Sequence, residues 1–108
     1  MRSLPEKFRQ LRGLGLTMAV GSDAGSTLHL PADAIWWDLE AWRSLGVPHR
    51  EVLIAATEAG ARVLRTADTG RIAVVRRADF ILYKGDAERG PFEVSRVMAV
   101  LKDGVRHR

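Results

Sequence analysis

The strongest limit on the fold of this chain is a short apolar run that stops at a glycine. Residues 16–20 read LTMAV, and residues 21–25 continue as GSDAG. A short apolar run without polar alternation is typical of a strand that is buried on both faces. A helix is predicted just before it, over residues 5–12, with Pro5 in the first turn. Helix, glycine-bounded turn and buried strand in this order indicate an α/β fold.

Two more helices are predicted after this strand. The first covers residues 32–45 and carries three tryptophans within seven positions. Large aromatic residues at helical spacing are more often packing residues than a ligand-stacking surface, so we favour a packing role for them. The second helix begins at Pro48, continues through HREVLIAATEAGARVL, and is expected to break or bend at Gly60.

The chain changes from helical to β patterns near residues 65–70. The runs at 72–75 and 79–83 are predicted to be strands. Nearer the C-terminus, Asp103-Gly104 lies between apolar flanks. This pair predicts a hairpin, because a type I′ turn requires positive φ at both central positions.

Composition excludes several classes of protein. The chain has 108 residues, enough for one domain at most, and no cysteine, which excludes disulfides and thiolate metal sites and fits a reducing cytoplasm. No apolar stretch is long enough to span a membrane, so no membrane partner is expected. The 17 Lys and Arg residues exceed the 13 acidic residues. They are scattered and not interleaved with aromatics, so we expect a solvated basic surface and no nucleic-acid partner.

Four segments in order resemble the C-terminal third of the amidohydrolase superfamily, particularly its imidazolonepropionase-like members. They are LRGLGLTMAVGSDAG, HREVLIAATEAGARVL, GRIAVVRRADFILYKGD and VMAVLKDGV. The resemblance implies the C-terminal fragment of a (β/α)₈ metal-dependent hydrolase barrel, followed by strands of a small β-sandwich domain. Residues 1–65 would then be the partial barrel, and residues 66–108 the β-rich segment.

The resemblance gives Asp23 a catalytic role at the C-terminal end of the last barrel strand, where such barrels place their active sites. There it would contact or ligate a divalent metal, with zinc the favoured ion. It would also take a proton from water and return one to the leaving nitrogen. His29, in the loop that follows, would contact the substrate. From the residues alone, an aspartate beside glycines is also common in ordinary turns.

The implied activity is hydrolysis of amide or cyclic amide C–N bonds, other than peptide bonds, in a small molecule. A catalytic metal site needs about three protein ligands. The chain has three histidines and no His-x-His. We therefore expect it to be inactive alone and to require the remainder of the barrel, on another chain or in upstream sequence. The alternative is a non-catalytic α+β interaction module derived from the same scaffold.

At two positions the sequence departs from the family pattern in a way that predicts a local loss of stability. Val74-Val75 stands where relatives usually have a Pro-Gly turn, so that turn must be rebuilt or the strand extended through it. Val47 stands where a Ser or Thr commonly caps the helix, and the loss of such a cap costs about 1 kcal/mol.

Overall fold

The computed structural model describes residues 3–23 and 34–108. Within these ranges the chain forms four α-helices, one turn of 3-10 helix and a three-stranded antiparallel sheet. The helices are α1 (Leu4–Gly13), α2 (Ala34–Ser44), α3 (His49–Ala56) and α4 (Glu58–Leu64). The 3-10 turn is Val94–Arg96, and the strands are β1 (Phe80–Tyr83), β2 (Val97–Lys102) and β3 (Val105–Arg106). No described helix has the length and apolarity that a membrane crossing requires.

Helix α1 confirms the prediction for residues 5–12 and starts slightly earlier, because Ser3 caps it. The backbone N–H of Ser3 donates to Glu6 Oε2 at 2.8 Å, and the backbone N–H of Glu6 donates to Ser3 Oγ at 3.4 Å. This reciprocal pair is a capping box, which satisfies two backbone donors that the first turn leaves free. The bonds from Ser3 hold the pKa of Glu6 below its usual value.

The predicted second long helix is divided, but not at Gly60. The break lies at Thr57, which leaves helical geometry with φ −125° and ψ −88°, and Gly60 lies inside α4. The Thr57 hydroxyl donates to the Leu53 carbonyl at 2.7 Å. The chain also returns to this point at Gly70, where a Cβ atom would lie 2.7 Å from Ala61 Cβ and 3.0 Å from the Thr57 carbonyl oxygen. The position of the break therefore coincides with a tertiary contact that local helix propensity does not reveal.

The core lies between the helices and one residue of the C-terminal half. Its buried members, which we call the central cluster, are Leu39, Val47, Val52 and Phe92. Partly buried residues pack around them, among them Phe8 and Trp42, whose rings meet edge to face with centroids 5.0 Å apart. Packing is thus confirmed for Trp42, and also for Trp36, which borders the same cluster.

The strand predicted over residues 16–20 is not formed, and that prediction is wrong for this structure. The segment has no ladder of backbone hydrogen bonds, and Leu16 is 56% exposed. Its tether is the Val20 backbone N–H, which donates to the Ala55 carbonyl of α3 at 3.1 Å. A strand needs a neighbouring strand to pair with, and the described part of the chain places none beside this segment.

The sheet confirms two of the C-terminal predictions. Strand β1 falls within the predicted 79–83 run and pairs antiparallel with β2, with Phe80 opposite Leu101. Asp103 and Gly104 form the turn between β2 and β3, with φ of 50° and 76°. Both angles are positive, as the predicted type I′ hairpin requires.

The strand predicted at 72–75 is wrong, because that stretch forms a turn. The Arg76 backbone N–H donates to the Ala73 carbonyl at 3.2 Å, and Val75 adopts φ 66°. A type II turn has positive φ at this third position and normally places glycine there. The chain therefore makes this turn with a valine in the position that normally takes glycine. We call residues 71–77 the valine loop.

Candidate functional site

Asp23 stands where the chain leaves the packed body after α1. Val20 packs against the central cluster, and Gly21, Ser22 and Asp23 follow it outward. The side chain of Asp23 is exposed, and its backbone lies in the left-handed region with φ 49°. Asp enters this region more readily than most residues. Packing of Val20 therefore fixes the start of residues 20–23, and the Asp23 carboxylate at the end of this stretch is accessible to solvent.

The carboxylate of Asp23 stands alone among the described residues. No hydrogen bond or ion pair joins it to another described side chain. Residues 3–23 and 34–108 contain no group of three or more His, Cys, Asp or Glu residues that could hold a metal ion. Since a catalytic metal needs about three protein ligands, these residues do not fit a complete metal centre by themselves.

Within the described residues, no histidine is placed with Asp23 as a metal ligand or substrate contact. His29, the predicted substrate contact, lies outside the described residues. The ring of His49 tilts against Phe92 at a centroid distance of 5.2 Å, which is a packing contact. The backbone N–H of His107 donates to the Val100 carbonyl at 2.8 Å, beside the terminal hairpin.

A groove of about 230 Å³ runs beside residues 16–18, and sequence reasoning missed it. Its walls are mainly apolar and include Leu16, Met18 and Ile54. Arg12 and Glu51 also line it and form an ion pair that links α1 to α3. The partners are 39 positions apart in sequence, so no local pattern indicates this pair. The groove can accept apolar side chains, and Asp23 is not among its lining residues.

A second groove lies between α2 and residues 92–95 and includes Trp36 and Trp37 in its walls. Trp36 stacks on Tyr83 with centroids 6.3 Å apart and planes 15° from parallel. Trp37 is 51% exposed, so the packing role predicted for the three tryptophans does not extend fully to it. The aromatic rings thus join the helical part of the chain to the sheet.

Glu40, in the wall of the second groove, is already engaged. Its Oε1 accepts the backbone N–H of Phe92 at 2.8 Å, and its Oε2 accepts the Nε–H of Arg43 at 2.8 Å. Burial raises the pKa of Glu40, but the bonds from Phe92 and Arg43 outweigh it and leave that pKa below its usual value. This carboxylate fastens the start of the 92–96 segment to α2 and is not free to bind a ligand.

Asp38, on the same helix, has one carboxylate oxygen that is buried without a hydrogen-bond partner. A buried acceptor without a donor costs free energy, and such atoms are uncommon in folded proteins. The sequence offers no signal for this atom, because it depends on how α2 is packed.

Solved structures resemble nearly all of this chain. The crystal structure of a Xaa-Pro dipeptidase with methionine bound in its active site matches 96% of the chain at a TM-score of 0.83 and 28% identity. A protein described as an amidohydrolase matches 94% at a TM-score of 0.73 and 22% identity. A beta-aspartyl dipeptidase from Fervidobacterium islandicum AW-1, in complex with a beta-Asp-Leu dipeptide, matches 96% at 0.64 and 24% identity.

These matches confirm the predicted resemblance to the amidohydrolase superfamily, to which all three proteins belong. The chain corresponds to the C-terminal part of these structures and spans 25%, 25% and 29% of their lengths. No protein-family model matches the chain, and no curated protein matches it. The structural likeness therefore supports a hydrolase scaffold.

Proposed function

We propose that this chain is the C-terminal part of a metal-dependent amidohydrolase that cleaves C–N bonds of small amides, and that it acts when the rest of the barrel is supplied. The observation that carries the proposal is the match to the Xaa-Pro dipeptidase, with a TM-score of 0.83 over 96% of this chain and 25% of that one. The match covers almost all of this chain but only a quarter of the dipeptidase, which is what a piece of a larger catalytic fold would give.

The surface around segment 16–20 supports the need for completion. Leu16 is largely exposed although it belongs to an apolar run, and the groove next to it has apolar walls. Among the described residues, the tether at Val20 is the one backbone hydrogen bond made by segment 16–20, so its other backbone groups are unpaired there. Apolar surface and unpaired backbone together favour a strand from the remainder of the barrel as the neighbour.

Asp23 is the proposed catalytic residue. Its accessible carboxylate has no partner among the described residues, so it is free to accept a proton from the attacking water and return it to the departing nitrogen. When bound, a divalent metal such as zinc would activate that water. Asp23 would supply one ligand at most, and the other ligands would come from the remainder.

The substrate class follows from the matched structures only as a proposal. Two of the three are dipeptidases by name, one with methionine and one with a beta-Asp-Leu dipeptide bound. The sequence resemblance alone favours C–N bonds other than peptide bonds. Dipeptides and cyclic amides are therefore the first two substrate classes to compare.

The competing function is a non-catalytic interaction module that kept the scaffold. The observation in its favour is that the described residues lack a three-ligand metal group. Under this reading Asp23 is an ordinary turn residue, and its replacement by Asn has no functional effect.

A chimera tests the proposal. The matching C-terminal quarter of the Xaa-Pro dipeptidase is replaced by this chain, and the fused protein is assayed for dipeptide and cyclic-amide hydrolysis with added zinc. We expect measurable hydrolysis that Asp23→Asn lowers by at least about 100-fold, the lower end of the contribution of a general acid–base residue.

Asp86→Asn is the matched control, because Asp86 is an exposed turn aspartate whose Oδ1 accepts the Glu88 backbone N–H. It should leave hydrolysis unchanged. A folded chimera that hydrolyses neither substrate class, or one whose activity survives Asp23→Asn, contradicts the catalytic proposal and favours the interaction module.

A further inference from the structure

Two contacts fasten residues 12–20 to one side of α3. The Arg12 guanidinium pairs with the Glu51 carboxylate, and the Val20 backbone N–H donates to the Ala55 carbonyl at 3.1 Å. Glu51 and Ala55 are four positions apart, so they lie one turn apart on the same face of the helix. We call the second contact the Val20 tether. Both of its groups belong to the described chain, so it forms without the remainder of the barrel.

The Val20 tether uses a carbonyl that an uninterrupted helix would not offer. In an α-helix the carbonyl of Ala55 would accept the backbone N–H of Ala59, four positions later. Here α3 ends at Ala56 and α4 begins at Glu58, so the Ala55 carbonyl is one of the last four of α3, which lack partners within their own helix. The N–H groups of Val20 and Ala59 are therefore alternative donors to one carbonyl, and the break between the helices favours Val20.

The break is held by the side chain of Thr57 and by the part of the chain that returns to it. The Thr57 hydroxyl donates to the Leu53 carbonyl at 2.7 Å, and its backbone N–H donates to the Ile54 carbonyl at 3.2 Å. A hydroxyl bond to the preceding turn bends helices. On the other side, Gly70 lies so close that a Cβ there would be 3.0 Å from the Thr57 carbonyl oxygen. Thr57 thus satisfies two of the last carbonyls of α3 and leaves the next one to a donor from elsewhere in the chain.

Asp23 lies three residues beyond the Val20 tether. Even if the chain between them is fully extended, the two Cα atoms are at most about 11 Å apart. The position of a group that transfers protons matters, because a misplacement of about 1 Å can lower a rate about 100-fold. A contact that fixes Val20 therefore limits where the Asp23 carboxylate can lie.

We infer that Thr57 is a positioning residue for Asp23. By ending α3, it reserves the Ala55 carbonyl for Val20 and so fixes the chain that leads to the carboxylate. The catalytic consequence rests on the proposed function, whereas the competition of two N–H groups for one carbonyl does not. An interaction module would keep the tether without any effect on catalysis, so the two parts are tested separately.

Amide hydrogen exchange of the 108-residue chain, measured by NMR, tests the competition. Thr57→Ala removes the hydroxyl bond and introduces the residue that most favours a continuous helix. We therefore expect the Val20 amide to exchange about tenfold faster in this variant. The Ala59 amide should exchange more slowly, because it takes over the Ala55 carbonyl. Opposite changes at these two amides are the signature of the competition.

Controls separate this effect from a general loss of stability. The Val52 N–H lies in the first turn of α3, where it donates to the carbonyl of the N-cap residue at 3.0 Å, and its exchange should not change in Thr57→Ala. Thr66→Ala is the matched variant, because Thr66 is also an exposed threonine whose hydroxyl donates to a backbone carbonyl, that of Ala61 at 3.4 Å. It should leave the exchange of Val20 unchanged. Thr57→Ser keeps the hydroxyl and should restore the protection of Val20.

The chimera with the Xaa-Pro dipeptidase tests the catalytic consequence. In it, Thr57→Ala should lower kcat by about 10- to 100-fold with little change in KM, since it displaces a group that transfers a proton and leaves substrate contacts intact. Thr57→Ser should recover most of the lost kcat. The exchange rates need no activity, so an inactive chimera counts against the proposed function while the exchange rates still decide the tether.

Three results would overturn the inference. The first is a Val20 amide that exchanges at the same rate in Thr57→Ala as in the unaltered chain. The second is equal acceleration at Val20 and Val52, which would show a general loss of stability. The third is an active chimera whose kcat Thr57→Ala does not change.

Discussion

Phe92 and Ile72 are both large apolar residues of the C-terminal half, and the fold treats them in opposite ways. Phe92 is 4% exposed and belongs to the central cluster, whereas Ile72 is 87% exposed. Phe92 follows a backbone path that Glu40 fastens to α2, so its ring is held against the helices. Ile72 follows Gly70 onto a loop whose fixed contacts lie only at its base. Burial thus depends on where a neighbouring element anchors the chain, and hydrophobicity alone does not decide it.

The largest contrast should come from truncating these two residues. Phe92→Ala should lower the free energy of unfolding by about 3–5 kcal/mol, because it leaves a cavity beside Val52. Ile72→Ala should change it by less than about 0.5 kcal/mol, as is usual at exposed positions. Urea denaturation followed by tryptophan fluorescence measures both. Equal losses for the two variants would show that the valine loop is packed in solution.

The base of the valine loop should be far more sensitive than its tip. Gly70→Ala should cost about 2–3 kcal/mol, because its φ is +85° and the new Cβ would meet Ala61 and the backbone at Thr57. Gly13→Ala is the control, since a Cβ there meets nothing within 4 Å. The control should be neutral or slightly stabilising in the same denaturation experiment. A Gly70→Ala variant as stable as the control would contradict the close approach.

The stability contributed by Glu40, whose carboxylate accepts the Phe92 backbone N–H, should depend on pH. The folded pKa of Glu40 is lowered, so the stability it contributes is complete above the ordinary glutamate pKa and is lost as the pH falls through the lowered one. Glu40→Gln should cost about 1 kcal/mol at neutral pH. The gap between this variant and the unaltered chain should shrink as the pH is lowered from about 5. Denaturation midpoints across this range give the measurement, and a gap that widens in acid would reverse the assignment.

The smallest predicted change in the free energy of unfolding is at Val75 in the valine loop, and there the substitution should stabilise the fold. Val75→Gly should raise the free energy of unfolding by about 0.5–1 kcal/mol, because relief of the left-handed strain exceeds the added entropy of glycine in the unfolded chain. Thermal denaturation against the unaltered chain measures this gain. Val74→Gly is the comparison, since Val74 does not have positive φ and its replacement should not stabilise. A destabilised Val75→Gly variant would mean that the Val75 side chain makes stabilising contacts in solution.

Local chemistry made several elements predictable from the sequence. Asp103-Gly104 carries the residues that a type I′ turn requires, and the hairpin forms there. Pro5 and Glu6 mark the first turn of α1, although the capping role of Ser3 was not predicted. These features depend on residues a few positions apart, so the sequence contains all the information they need.

Features that depend on distant partners were not predictable in the same way. Residues 16–20 have strand-like composition, but a strand exists only beside another strand. The break at Thr57 instead of Gly60 coincides with the return of the chain at Gly70. The role of Asp23 came from resemblance to a family and stays a prediction, since the described residues show an accessible carboxylate but no assembled centre around it.

The position of Phe92 has a consequence for how the molecule loses its structure. Its ring is contributed by the sequence between β1 and β2, yet it closes a cluster built otherwise from α2, α3 and the loop that joins them. Unfolding of the helices would therefore expose the Phe92 ring to solvent. Loss of the Phe92 contacts would in turn expose the other residues of the central cluster to water. Helical circular dichroism and a probe on the hairpin should report one shared transition, with a common midpoint.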